Sequence, residues 1–210
     1  MIVPVTTGSL IEVASIYVKP DYQIDVSEMY NFASAVQAAG ATYGSYYVYF
    51  VGTDSNGSTY NLFDLKFVAD YTTSSFIYYL DFNGSTYPSY GWYYINPGAG
   101  DLALPVYWLP IGSLTNSVVF SAELQEKTLN LLVNGSQVFT TAFLNSTIPL
   151  TAIYQYATLS NGSALNDIAA INLNIKQITN MLGIVPDIMS IVVISVVVVM
   201  LLKMFGVIHI

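Results

Sequence analysis

The sequence predicts a mainly β protein, an antiparallel β-sandwich or jelly roll followed by a C-terminal amphipathic helix and a single transmembrane helix. Three observations predict it: short segments of alternating apolar and polar residues, turns rich in Asn-Gly pairs, and a long apolar run near the C-terminus. We expect a sandwich domain over residues 1–160, an amphipathic stalk helix over residues 164–183 and a transmembrane anchor over residues 187–210.

The first elements are a strand over residues 10–18 and a short helix near residues 26–39. Asp25 and Glu28, three residues apart, match a capping box, and Gly40 supplies the stop signal. Between them, one helical stripe carries the apolar residues Met29, Phe32, Ala33 and Val36.

After this helix the hydrophobic period changes to two, which indicates strands. In residues 60–69, for example, Phe63, Leu65 and Phe67 alternate with Asp64 and Lys66. Eight or nine short strands with turn signals between them favour a sandwich or jelly roll. Beyond the first, the predicted strands cover residues 45–51, 60–69, 76–82, 91–95, 118–124, 127–133, 137–143 and 150–158.

The composition excludes several functions. Five lysines and no arginine stand against 13 acidic residues, which argues against nucleic acid as a partner because phosphate neutralisation needs a basic surface. The chain has no cysteine, and its one histidine is His209, so neither a nucleophilic triad nor a zinc site can be built in the β domain. Carboxylate pairs such as Asp64 with Asp81 are better explained as solvated strand faces. We expect neither enzymatic activity nor a cofactor or metal.

Five N-glycosylation sequons follow the predicted turns, and four of them contain an Asn-Gly pair. One interpretation is that exposed hairpin tips carry glycans, which would hydrate a surface with few charges; we expect at least two sites to be occupied. The other is that Asn-Gly-Ser is simply favourable turn chemistry. The five asparagines are Asn56, Asn83, Asn134, Asn145 and Asn161.

Residues 87–110 form a proline-rich and aromatic segment that includes Trp92 and Trp108. Such residues often pack a long loop against the core. If they are exposed, they suit contact with neighbouring copies or with a carbohydrate.

The predicted stalk rests on apolar residues spaced 3, 4, 3 and 4 apart, which is the period of a coiled coil. Isoleucine at both inward positions favours a coiled coil of three or more helices over one of two. A helix lying against its own domain is the alternative. The stripe consists of Ile168, Ile171, Ile175, Ile178 and Leu182.

The predicted anchor contains residues 188–202, which carry no charge. Residues 188–210 would rise about 34 Å as a helix, enough for a hydrocarbon core of about 30 Å, with Lys203 extending its ammonium toward the headgroups. The alternative is a buried core helix.

Taken as a whole, a cysteine-free β domain rich in Tyr, Ser, Thr and Asn, an isoleucine helix and a membrane anchor resemble the membrane-anchored, jelly-roll coat proteins of hyperthermophilic archaeal viruses. The chain is also similar to the small stalk-forming S-layer protein of thermoacidophilic archaea. The first resemblance implies a structural virion protein that builds a shell on a membrane with copies of itself and other shell proteins. The lack of a signal-peptide pattern at Met1 favours it over an exported surface-layer protein. A membrane-anchored carbohydrate- or receptor-binding adhesin is a third alternative.

Overall fold

The computed structural model describes residues 1–82, 102–143, 147–165 and 169–178. In this part of the chain, twelve strands form two six-stranded antiparallel sheets, and one α-helix accompanies them. The predicted mainly β sandwich of jelly-roll type is therefore confirmed. The elements are β1 (Ile2–Pro4), β2 (Ile11–Val18), β3 (Tyr22–Ser27), α1 (Met29–Ala38), β4 (Tyr43–Thr53), β5 (Thr59–Asp70), β6 (Ser75–Phe82), β7 (Leu102–Pro110), β8 (Val119–Gln125), β9 (Thr128–Val133), β10 (Ser136–Ala142), β11 (Leu150–Leu159) and β12 (Ala170–Gln177).

The two sheets interleave strands from the two ends of this domain. Sheet A has the order β1-β12-β3-β8-β9-β10, and sheet B has the order β2-β11-β4-β5-β6-β7. Strands β4 to β7 pair in chain order, and so do β8 to β10, whereas β11 inserts between β2 and β4, and β12 between β1 and β3. Both sheets therefore depend on strands from the C-terminal part of the domain.

Aromatic side chains fill the space between the sheets. Phe67 and Tyr78 of sheet B stack with 5.1 Å between ring centroids and an interplanar angle of 2°. Phe120 of sheet A meets the same two rings edge-on at 5.3 and 5.0 Å, and lies 5.7 Å from Phe76. The Tyr78 hydroxyl donates to the carbonyl oxygen of Ser121 at 3.2 Å, so the large ring is buried with its polar atom satisfied.

Helix α1 confirms the predicted helix, but the predicted capping box is wrong. Glu28 occupies the N-cap in a left-handed conformation, with φ of 66°, and makes no side-chain cap. Asp25 lies within β3 instead. Its neighbours Ile24 and Val26 face the core, so its carboxylate lies on the outer face of the sheet. The helix packs closely on β4, because a Cβ added at Gly44 would lie 2.5 Å from Cγ2 of Val36.

The predicted stalk helix over residues 164–183 is wrong where the structure describes it, because residues 170–177 form the strand β12. Ile171 and Leu173 lie in the core, and Ile175 packs against it. The helical spacing of the isoleucines coincides with a strict alternation, Ile-Asn-Leu-Asn-Ile-Lys, and pairing with β1 and β3 selects the alternation.

The domain boundary moves accordingly. The compact sandwich unit extends from Met1 to Gln177 rather than ending at residue 160, and a second unit covers Ile178–Ile210. Ile178 is half-buried just beyond β12, while Ile168 and Leu182 lie outside the described residues.

Two other predicted segments fall wholly or partly outside the described residues. The anchor over residues 187–210 is outside them, and none of the helices in the described ranges is long and apolar enough to cross a membrane. Of the aromatic segment, residues 87–101, with the strand predicted at residues 91–95, are outside, whereas Leu102–Pro110 forms the edge strand β7 rather than a loop.

The outer strands of both sheets carry features that oppose the addition of further strands. In sheet A, β1 has only three residues and includes Pro4, and the pairing of β10 shifts register between Gln137 and Phe139. In sheet B, β7 contains Pro105 and Pro110, and the pairing of β2 shifts register twice. Prolines, bulges and short length are the usual protections of sheet edges, so these edges are poor sites for the addition of a strand from another molecule.

Candidate functional surfaces

The outer face of sheet A carries a hydrogen-bonded network centred on Asp25. Its Oδ2 accepts from Nζ of Lys176 at 2.7 Å, and its Oδ1 accepts from Ser121 at 2.8 Å and from Nε2 of Gln23 at 2.6 Å. The three donors come from β12, β8 and β3, so the carboxylate joins three adjacent strands. Lys176 itself remains more than half exposed.

The electrostatics of this network keep Asp25 ionised. Burial of the carboxyl would by itself raise its pKa, but the hydrogen bonds from Lys176, Gln23 and Ser121, together with the positive charge of Lys176, lower the pKa of Asp25 below its ordinary value. A carboxylate that is held in this way is a structural acceptor and a poor general acid.

We expect the Asp25→Asn variant to lose part of the acid sensitivity of the fold. Because the folded-state pKa of Asp25 lies below the unfolded-state value of about 3.9, its contribution is fully present above that value and disappears as the pH falls through the folded-state pKa. Urea unfolding at about pH 7 and about pH 2 should show wild type more stable than the variant only at the higher pH. An equal difference at both values would contradict the assigned role of the network.

Polar side chains extend this network across sheet A. Lys176, Gln23, Glu123 and Asn130 occupy one row of paired positions through four strands. Thr140 of β10 continues the row and donates to Oδ1 of Asn130 at 2.7 Å. The result is a broad sheet face with amide and hydroxyl groups and few charges, suited to hydrogen bonding with another flat surface.

The outer face of sheet B is different, because tyrosines dominate it. Tyr47 stacks on Tyr49 with 6.0 Å between centroids, and Nζ of Lys66 lies 5.1 Å from the Tyr47 ring and 5.4 Å from that of Tyr79. Although Tyr47 and Tyr49 point away from the core, they are only 5% and 2% exposed. The alternation of tyrosines along the strand sequence is the signal that would have found this cluster.

Three of the five predicted glycosylation sites lie in described residues, and all three are exposed at turns. Asn134 and Gly135 have φ values of 50° and 79°, which gives the type I′ hairpin turn expected for the pair. Asn56 lies in the five-residue loop of the β4–β5 hairpin, and Asn161 follows β11. Asn83 and Asn145 are outside the described residues.

The side-chain amides of these asparagines differ in their partners. Oδ1 of Asn134 accepts from the Val119 amide at 2.9 Å, while Nδ2 of Asn161 donates to the carbonyl of Ala39 at 2.9 Å. At Asn56 the hydrogen bond is made by the backbone amide, which donates to Oδ1 of Asp54 at 2.9 Å. The structure thus supports a turn role at Asn134 and Asn161 and leaves the Asn56 side chain the most available for modification.

We expect Asn56 to be glycosylated more completely than Asn134 or Asn161 in protein from its native source. Nδ2 of Asn161 already donates to Ala39, and the amide of Asn134 is held in place through its Oδ1, whereas the structure shows no hydrogen bond from the Asn56 side chain. Glycopeptide mass spectrometry would give the occupancy of each site, and the Asn56→Gln variant should lose one glycan mass. Occupied Asn161 beside unmodified Asn56 would overturn this order. A chain without any glycan would leave turn chemistry as the explanation of all the sequons.

Of the two tryptophans singled out in the sequence, only Trp108 lies in the described residues. It belongs to edge strand β7, pairs with Ile77 of β6 and is 56% exposed. Trp92 is outside the described residues.

Within the described ranges, no group of three or more His, Cys, Asp or Glu side chains is arranged to hold a metal ion. His209 lies outside those ranges.

The sequence matches no protein-family model and none of the curated proteins. Solved structures similar to the chain include a tetrameric galectin from the ball sponge Cinachyrella sp., at 12% identity and a TM-score of 0.37 over 81% of this chain and 99% of that one. Galectin LEC-6 from Caenorhabditis elegans has 8% identity and a TM-score of 0.35, over 82% and 94% of the two chains. A toad ovary galectin in complex with thio-digalactose has 11% identity and a TM-score of 0.33, over 81% and 100%. These values are too low to assign the chain a family or a function.

Proposed function

We propose that this protein is a non-enzymatic structural protein, a membrane-anchored virion coat component that builds a shell on a membrane. The observation that carries the proposal is the course of β12. This strand lies inside sheet A, paired with β1 on one side and β3 on the other, and leads directly into the C-terminal segment with its uncharged residues 188–202.

The exit of the chain from the sandwich is firmly held. Nε2 of Gln177, the last residue of β12, lies 3.2, 2.8 and 2.7 Å from the carbonyl oxygens of Lys19, Pro20 and Asp21. One residue earlier, Lys176 is paired with Asp25. A force applied to the C-terminal segment would act on β12, which is hydrogen-bonded to a strand on each side and so resists being pulled out of the sheet. This arrangement suits a domain that is held on a membrane through its C-terminal segment.

The surfaces of the sandwich also suit assembly. Its protected edges disfavour uncontrolled growth by strand addition, and the polar face of sheet A offers broad contact without a strong field of one sign. The partners under this proposal are membrane lipids, copies of the same chain and other shell proteins. The same arguments extend to an archaeal surface-layer protein, and the location of the protein separates the two.

The anchor is tested by two truncations of the chain. Ending the chain after Gly183 keeps β12 and should release a folded β domain from membranes after an alkaline carbonate wash, whereas the full chain should stay bound. Ending it after Leu165 removes β12 and should prevent folding, because β1 and β3 lose their shared partner. A folded product of the first truncation that still sediments with membranes would refute the anchor.

Immunogold labelling then tests the coat assignment. Label on virions supports the proposal, and label confined to the cell envelope replaces it with the surface-layer alternative.

A further inference from the structure

A cleft of about 530 Å³ opens at one end of the sandwich, lined by Tyr17, residues 53–55 and residues 147–149. Tyr17 is the last exposed residue of β2. Residues 53–55 run from the end of β4 into the loop before β5, and residues 147–149 precede β11. The volume is within the range of small-molecule sites, about 300–1,000 Å³. The cleft includes none of the residues that the sequence analysis singled out.

One wall of the cleft is a fixed carboxylate. Oδ1 of Asp54 accepts from the amides of Asn56 and Ser58, both at 2.9 Å, and Oδ2 accepts from the hydroxyl of Tyr60 at 2.9 Å. The hydrogen bond from Ser58, with those from Tyr60 and Asn56, holds the pKa of Asp54 below its ordinary value. Because a carboxylate oxygen has about two acceptor positions, Oδ2 can accept from a ligand beside its bond from Tyr60.

The hydroxyl of Thr53 is oriented as well. Oγ1 of Thr53 lies 3.0 Å from Oγ1 of Thr151, which in turn donates to the carbonyl of Val51 at 3.3 Å. Since Thr151 has one proton and uses it for Val51, Thr53 is the donor of the pair and keeps its lone pairs for a ligand.

The opposite wall is equally well defined. A Cβ added at Gly52 would lie 2.6 Å from the carbonyl oxygen of Pro149 and 2.8 Å from Ile148, so β4 runs directly beneath this apolar wall. At the mouth, the Tyr17 side chain is 69% exposed and offers its ring to a ligand. Fixed walls reduce the ordering that a ligand must impose on the protein.

The lining chemistry identifies the class of ligand. Among the described residues that line the cleft there is no lysine, so they offer an anion no counter-charge. An ammonium ion donates hydrogen bonds only, whereas the hydroxyls of Ser55, Thr147 and Tyr17 both donate and accept. A sugar has hydroxyls of the same dual character and an apolar C–H face that an aromatic ring can cover.

We propose that this cleft binds a neutral carbohydrate, with Tyr17 covering one face of a sugar ring and Asp54 and Thr53 bonding its hydroxyls. The site is separate from the shell role, and a sugar bound there would come from a cell surface or from a glycan on another copy of the chain.

The test uses the full chain in a detergent without a sugar headgroup. Maltose, cellobiose, lactose and mannobiose are screened by saturation-transfer NMR, and the best ligand is titrated against wild type and variants. We expect Tyr17→Ala to weaken binding by about tenfold or more and Asp54→Asn by several-fold. Tyr30→Ala, which truncates an exposed tyrosine of α1 outside the cleft, should leave binding unchanged.

The design makes each result decisive. Tyr17 is so exposed that its truncation should not unfold the protein, and Tyr17→Phe, which keeps the ring, should retain most of the affinity. Absence of binding for every sugar up to about 10 mM would overturn the proposal, as would equal affinities of wild type, Tyr17→Ala and Asp54→Asn. Stronger binding of n-butylammonium than of any sugar would overturn it in favour of a cation site. Loss of the best ligand's binding after enzymatic deglycosylation would locate the sugar contact on the attached glycans and refute the cleft.

Discussion

Replacing Ile171 with aspartate is expected to unfold the sandwich. The side chain is fully buried at the second residue of β12, where it pairs with Val3 of β1, and it belongs to the core of the domain. The substitution removes an aliphatic side chain, at a cost of about 2–5 kcal/mol, and buries a carboxylate without a partner, which costs several kcal/mol more. Since domains are stable by only about 5–15 kcal/mol, the two costs together are comparable with the whole stability.

Near-UV circular dichroism of the detergent-extracted chain would measure this loss of tertiary packing. Asn172→Asp is the matched control, because it introduces the same group at the next residue, on the outer face of the same strand. A variant at Ile171 that keeps the native spectrum would mean that β12 is not part of the core, and it would reopen the interpretation of this segment as an independent stalk.

Replacing Phe120 with alanine is expected to cause the next largest loss. Its ring is fully buried and meets Phe67, Phe76 and Tyr78 across the space between the sheets. Truncation of a buried phenylalanine costs about 3–5 kcal/mol, because both the transfer energy and the cavity count against the folded state. For a domain of this size, that cost lowers the Tm by about 6–20 °C.

Thermal unfolding followed by circular dichroism tests this prediction, with Val119→Ala as the control. Val119 precedes Phe120 on β8 but is only half-buried and lies on the outer face, so its truncation should change the Tm by little. Equal shifts for the two variants would show that the aromatic cluster does not join the sheets.

Both predictions follow from the sandwich, and they restrict how the protein can assemble. The isoleucine stripe that suggested a coiled-coil stalk contributes Ile171 to the core, so that residue does not contact another copy. Under the proposed coat function, contacts between copies would use the sheet faces, the loops or the segment beyond Gln177.

The candidate sites show the same division between local and long-range information. The sequence predicted exposed turns at Asn56, Asn134 and Asn161, because Asn-Gly and its neighbours encode turns locally. It did not predict the Asp25–Lys176 pair, whose members are 151 residues apart and meet only because β12 inserts beside β3. The cleft at Tyr17 is of the same kind, since three separate loops and strands form it.

The sequence by itself determined the mainly β class, most of the strands and the helix α1. Each of these depends on hydrophobic period and turn residues, which act over a few neighbouring positions. Only the tertiary structure decided the fate of residues 170–177, where a helical spacing of isoleucines and a strand alternation were both present in the sequence. The physical reason is that a strand at this place forms backbone hydrogen bonds with β1 on one side and β3 on the other, and it also buries one face in the core. An isolated helix would leave the backbone groups of β1 and β3 unpaired and that part of the core uncovered.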